Sequence, residues 1–491
     1  MNGELSGGKN GIVYERVETL QSAKTMQIKK PLPMDFGSGD IAFAFGMLVC
    51  GFLYWNLISF NSLGLGVTIF TLILCAAAAL YIHFSGLKQT KGSLFLMGMI
   101  LISAVNFTLF DAQLVKGLNF IFLSACFVYW VCLSAGNRID NRISLYMLGD
   151  ALNQFIVIPL SNFSCCFSGM KQLLIKTRKG KGVLSGLIGI LFFLPVLILV
   201  TSLLTDADAA FEGLMNRIQF SFSQNMIDYI WQMVLGLPVA CYLFGSIYGN
   251  RYRRNTNHVT LESVDKATSD FRILPDVTVY SALTALNLIY VVYFLAQTTY
   301  FFSAFSDALP QSMTYAEYAR RGFFELCAVS GINLGVIAAA HLLSKREKIK
   351  ILHGETAAIC IFTLALIATA LSKMGMYINY YGLTQLRVYT CWFMVVLFMV
   401  FVLILLRQFI HFRGTRIAIA GFLCMFMLLS YGNVDGRIAK YNIERYQAGT
   451  LATLDIDALS DLSDAAVPYL YELFKQTDDI RVKAELRSAI N

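Results

Sequence analysis

Glu317, Arg321 and Glu325 lie at i, i+4 and i+8, with Arg320 beside them. On a helix that spacing stacks opposite charges along one face, as in an ion-pair ladder. The apolar run around 322–343 reads as a membrane span, so Glu325 falls about one turn inside it. A carboxylate at that depth is costly and is usually paired or functional. Two readings stand: a ladder that pins a helix end, or a site for a proton, a cation or a polar substrate. A second group follows at Tyr377, Tyr380, Tyr381, Thr384, Arg387, Tyr389 and Thr390. Tyr380, Thr384, Arg387 and Cys391 share one stripe at helical spacing. An interfacial aromatic belt accounts for the tyrosines, but less well for an arginine fixed among hydroxyls. Arg387 is expected either to pair with Glu325 across helices or to hold an anionic head group bidentately. Asp435 and Arg437 open a third polar group, just after the last apolar run.

Other residues give weaker signals. None of the five His pairs at i, i+3 or i, i+4, so no metal-binding helix face is visible. Asp206, Asp208 and Glu212 are acidic neighbours, but acids at i, i+2 do not share a helix face, and calcium wants six to eight oxygens. Most of the eleven Cys lie in apolar runs, where they act as small hydrophobes. No nucleophile–base pair and no metal or cofactor motif is recognisable. No catalytic residue and no cofactor is therefore expected, and the reading leans away from an enzyme.

The elements that must position these groups are membrane helices. Hydrophobic residues make up 57% of the chain and charged ones 14%, against ~25% charged in a typical soluble domain. Apolar runs long enough to span a bilayer recur at 41–60, 63–84, 94–110, 118–135, 183–204, 227–249, 277–302, 322–343, 356–374, 386–410 and 415–431. The expected fold is all-α, a polytopic transmembrane bundle of about eleven spans. Residues 1–40 read as a polar cytoplasmic tail, 41–135 as four spans, and 182–431 as seven more. Residues 136–181 read as cytoplasmic amphipathic helices in the interface, with a re-entrant hairpin as the rival. Residues 432–491 read as a small helical extracytoplasmic segment, with Ser463 as a helix N-cap and Val467, Leu470, Tyr471 and Phe474 as a buried stripe. Glycines along one helix face, Gly182, Gly186 and Gly189 at spacings of four and three and then Gly331 and Gly335 at four, are expected to let helices approach closely.

Charge sets the orientation. With the N-terminus inside, the inner segments and the span ends beside them hold 26 of the 39 Lys and Arg. The acids favour the outer side, which leaves about +13 inside and −5 outside. The overall +8 is thus a topology signal and an attraction to anionic lipid head groups. It is not a nucleic-acid footprint.

The motifs YAEYARRGFFEL at 315–326, YGLTQLRVYT at 381–390, and IAKYNIERYQAG with LSDLSDAAVPYL at 438–470 are similar to a bacterial multi-pass membrane family catalogued as domain of unknown function 4173. The resemblance covers roughly 200–475. It implies a bacterial plasma-membrane protein and carries no activity, substrate or cofactor. Three functions are open: a transporter or permease-like protein for a small polar, ionic or lipidic substrate; a non-catalytic sensor or assembly partner with a protein docked on it; and an outer-leaflet enzyme acting on a lipid-linked or envelope glycan.

Overall fold

The computed structural model describes residues 36–140, 146–176, 200–201, 204, 207–208, 211, 224–256, 259–296, 323–346, 348–451, 453–477 and 480–490. Every regular element among them is a helix. In chain order these are α1 (Ser38–Leu57), α2 (Leu65–Phe84), α3 (Lys91–Leu109), α4 (Gln113–Ala135), α5 (Met147–Leu152), α6 (Ile158–Ser161), α7 (Cys165–Lys176), α8 (Gln224–Arg251), α9 (Leu261–Asp270), α10 (Asp276–Ala296), α11 (Phe323–Leu343), α12 (Ile349–Tyr381), α13 (Gln385–Phe409), α14 (Gly414–Tyr431), α15 (Val434–Gln447), α16 (Ile456–Ser460), α17 (Val467–Gln476) and α18 (Ile480–Ile490). A π-helical turn, Asn153–Val157, joins α5 to α6.

Ten of the described helices are long and apolar enough to cross a membrane: α1 to α4, α8 and α10 to α14. With no water in the hydrocarbon, the backbone must satisfy its own hydrogen bonds, and the helix does so within one segment. The span expected at 183–204 lies almost wholly outside the described residues. At ~1.5 Å per residue, the 33 residues of α12 run about 50 Å, longer than a ~30 Å hydrocarbon core.

Two bundles and a small terminal unit each have a core. In the first, α1 to α4, α7 and α8 enclose Met47, Trp130 and Phe244. Helices α1 and α8 run antiparallel. Arg251 meets Asp40 at one end, and Asn56 meets Gln232 at the other. Between them Gly51 and Gly236 touch backbone to backbone, so a Cβ on either would overlap the other's main chain. Further along α8, Gly245 and Gly249 admit Pro159, Ile158 and Asn162. The close glycine contacts are therefore here. Among the described residues no atom comes within 4 Å of the Cβ position of Gly331 or Gly335. Gly182, Gly186 and Gly189 lie outside the described residues.

Segment 146–176 packs into this bundle through buried Ile158, Asn162, Cys165 and Cys166. Its polar groups bond to α8: Asn250 donates to Gln154 at 2.6 Å, and Tyr242 donates to the Phe155 carbonyl at 2.9 Å.

The second bundle, α10 to α13, closes over Leu352, Ile359, Ile367 and Phe401. Helix α14 joins the two bundles. Its Phe426 packs on Phe122 of α4 at 4.7 Å between ring centroids, and Phe422 and Phe426 flank Trp392 of α13. Helices α15 to α18 bury Ile443, Leu459, Leu470, Leu473 and Leu486. Two expectations change here. Leu473 takes the buried place expected for Tyr471, which is 48% exposed under Lys475. Ser463 precedes a 3-10 turn without a side-chain cap; its N–H instead binds Asp435.

Candidate functional site

Glu317, Arg320 and Arg321 lie outside the described residues, so the ladder is described only at its last rung. Glu325 stands in the first turn of α11, on its exposed side, and its charge acts on Lys373 of α12. Arg387 has other partners. It donates to the Gly382 carbonyl at 2.6 Å and the Tyr381 carbonyl at 3.2 Å, and its guanidinium lies 4.2 Å from the Tyr377 ring centroid. None of the ion pairs among the described residues joins it to Glu325. Arg387 thus caps the carbonyls that end α12, where a cation is also favoured by the helix dipole.

The turn it caps is held from the other side. Asn442 of α15 brackets Leu383: the Leu383 N–H donates to Oδ1 at 2.7 Å, and Nδ2 donates to the Leu383 carbonyl at 2.8 Å. Gly382 has φ +77°, and a Cβ there would also strike Asn442, so this position needs glycine. Thr384 is the N-cap residue of α13 by backbone only, and Tyr380 and Tyr381 are exposed.

Asp435 is buried. It accepts from Gln385 Nε2 at 2.9 Å and from the Ser463 N–H at 3.1 Å. The hydroxyl of Tyr389 is also buried and has no hydrogen-bond partner among the described residues. Arg437 is exposed. A cavity of about 10 Å3 beside Asp435 is lined by Asn106, Lys116, Ser430, Asn433 and Ser463. That is about the room one water needs, so the clasp is closely packed beside Asp435. From it a buried polar thread runs into the first bundle. Asn106 donates to the Ser430 carbonyl at 2.6 Å, Asn119 bonds to Asn106 and Ser103, and Lys116 pairs with Asp111. Sequence reasoning missed Asn106 and Asn119, which are single amides in apolar runs, and Lys116, which reads as an ordinary loop cation between two spans.

A second line of polar groups threads the other bundle. Glu355 of α12 accepts from Thr284 at 2.8 Å and Asn287 at 2.7 Å. In mid-bundle Tyr290 donates to Asn333 at 2.5 Å, and Asn333 donates to Thr363 at 2.8 Å. Lys373 and Glu325 lie toward the other end. Thr363 to Lys373 is ten residues of one helix, ~15 Å. Ionisable groups thus stand toward both ends of the bundle, half-buried Glu355 at one and exposed Glu325 with Lys373 at the other, with the buried Tyr290–Asn333–Thr363 bonds between them. Polar groups buried among membrane helices, as Asn333 and Thr363 are, often mark ion or substrate paths.

A third cluster is structural. Asp40, 1% exposed, accepts from the Gly37 N–H, from Tyr81 at 2.7 Å, from Tyr252 at 2.8 Å and from Arg251 at 2.6 Å. The Arg251 guanidinium lies against the Tyr81 and Tyr252 rings. All four lone-pair directions of the carboxylate are used, so no site for a ligand remains on it.

Helices of this length and hydropathy, packed in bundles with buried polar threads, make this an integral multi-pass membrane protein. The chain belongs to a family described as Domain of unknown function (DUF4153), whose model matches residues 96–473. That corrects the 4173 family suggested by the sequence motifs. The match also reaches back into α3, well before the motif-bearing part. Comparison with curated proteins and with solved structures gives no match.

Proposed function

We propose that the protein is a transporter or permease-like protein of the bacterial plasma membrane for a small polar, ionic or lipidic substrate. One observation carries the reading: the polar line Glu355, Asn287, Tyr290, Asn333, Thr363, with Lys373 and Glu325 beyond it. A stable bundle does not need hydrogen-bonded polar groups along its interior, and a carboxylate near each end gives a cation or proton a place to enter and leave. Arg387 and Asp435 serve this reading as the clasp that fixes the ends of α12 and α13.

The same reading puts the N-terminus in the cytoplasm and residues 432–491 outside. Its support is packing and charge together. Lys88, Arg138, Arg251, Arg346 and Arg413 gather at the Asp40 face, and the basic residues there are suited to anionic head groups. Helix α7 ends at that face, where Gln172 accepts from the Phe36 N–H, while α8 begins at the opposite one, where Gln232 meets Asn56. That supports one further crossing between them, as expected for 183–204.

The test is Glu325→Gln. In a strain lacking the protein, metabolite profiling identifies what accumulates or is lost, and the wild-type chain restores it. The variant is expected to reach the membrane at wild-type abundance and to restore nothing. Full restoration by Glu325→Gln would sink the proposal.

A second reading, a sensor or assembly partner, draws on the C-terminal unit. It has its own core, is clasped to α13 by Asn442 and Asp435, and leaves Tyr471 and Ile480 exposed.

A further inference from the structure

A groove opens at the Asp40 face between α2, α3 and α4, away from both polar threads. It has a volume of about 630 Å3, within the ~300–1,000 Å3 of small-ligand sites. Ala79, Leu94, Met97 and Trp130 form its walls and floor, and no carboxylate lines it. Lys88 and His83 stand exposed at its mouth, in and beside the turn between α2 and α3. Trp130 is wholly buried beneath, and its indole N–H has no hydrogen-bond partner among the described residues.

The groove takes in the last turn of α2 and the first of α3, and it joins apolar walls to a cation at its mouth. The trough suits a hydrocarbon chain, which gains ~0.8 kcal/mol per buried CH2 in water but little against lipid. Shape alone therefore selects nothing, and the charge at the mouth must hold the molecule. A soluble phosphate would leave the trough empty. A peptide helix would meet one cation and no complementary polar row. We propose that this groove holds one anionic glycerophospholipid, with a chain against Ala79, Leu94 and Met97 and its head-group phosphate on Lys88 and His83. This differs from the diffuse pull of a basic face on anionic lipid, because one molecule is retained at one place. It is also independent of the transport reading, since no residue of the polar line takes part.

The experiment uses the full chain in mild detergent, with native mass spectrometry after addition of phosphatidylglycerol or phosphatidylcholine of the same chain length. Wild type is expected to keep one phosphatidylglycerol through activation that strips phosphatidylcholine. Lys88→Glu combined with His83→Ala should lower phosphatidylglycerol retention by about tenfold or more, the worth of one charge-assisted hydrogen bond, and leave phosphatidylcholine unchanged. Leu94→Trp, which fills the trough, should lower retention of both lipids. Lys88 and Leu94 are exposed, so neither change touches the core, and Lys88→Gln replaces the charge reversal if its yield falls. Unchanged phosphatidylglycerol retention in both variants overturns the proposal. So does equal loss of the two lipids in the Lys88 variant, or inorganic phosphate alone raising the melting temperature as much as the lipid does.

Discussion

At the residue scale, burial decides which charges hold the molecule together. Asp40 joins α1, α2 and α8 through one carboxylate, and the Arg251 guanidinium lies against two tyrosine rings. Removing one partner of a buried pair leaves the other charge desolvated and unpaired, at ~3–5 kcal/mol. Arg251 keeps some exposure, so the low end applies. Asp40→Asn is expected to lower the melting temperature in detergent clearly, and Arg251→Leu to do so by a similar amount. The double variant should lose much less than their sum, as partners in one network do. Additive losses would show that the pair does not act as a unit. This knot was hard to read in the sequence. Asp40 looks like the polar end of a tail, and Arg251 like one of several basic residues after a span. Arg387 was legible as a residue held in place, because an arginine among hydroxyls at a span end has few excuses. Its partners were not legible. The carbonyls it binds exist only once α12 ends at Gly382, and a turn's geometry is not visible in residue types alone.

At the element scale, membrane helices gain no hydrophobic advantage from meeting each other, so close approach must come from shape. Gly51 and Gly236 supply it at the α1–α8 crossing, where backbone meets backbone. Gly51→Ala must push the helices apart, and overpacking of this kind costs about 1–3 kcal/mol. Among the described residues nothing lies near the Cβ position of Gly46 on the same helix, nor near that of Gly331 on α11. Thermal unfolding of the three alanine variants should therefore separate them: a clear loss for Gly51→Ala, and no loss or a slight gain for the other two. Loss at Gly331 of the size seen at Gly51 would show that α11 is packed more closely than its surroundings here. The helices themselves were the most legible part of the chain, since length and hydropathy alone define them. Which glycines pack was illegible. Regular spacing drew attention to Gly331 and Gly335, while the backbone contact among the described residues pairs single glycines 185 positions apart, a coincidence that only tertiary structure creates.

At the scale of the whole molecule, the two bundles agree on which end is which. Asn106 at the end of α3 meets Ser430 at the end of α14, and Asp435 just beyond meets Gln385 at the start of α13. Asp111, Asp435 and Asp457 thus share a face, opposite the one that carries Lys91, Arg251 and Lys266. Positive charge is retained on the cytoplasmic side during insertion, so under the proposed orientation the basic face is expected inside. Between Lys91 and Asp457 lie eight of the ten described spans. Eight crossings would return the chain to the same side, whereas nine, with 183–204 included, put the two residues on opposite sides. Single cysteines separate the cases. Cys424 is exposed and is first changed to Ser; most of the other native cysteines are buried. A membrane-impermeant maleimide applied to intact cells is then expected to label Asp457→Cys. Lys91→Cys and Lys266→Cys should react only after permeabilisation. Labelling of Lys91→Cys and Asp457→Cys from the same side would remove the eleventh span. The full reverse pattern would keep the span count and invert the protein, placing the clasp in the cytoplasm and the lipid groove outside.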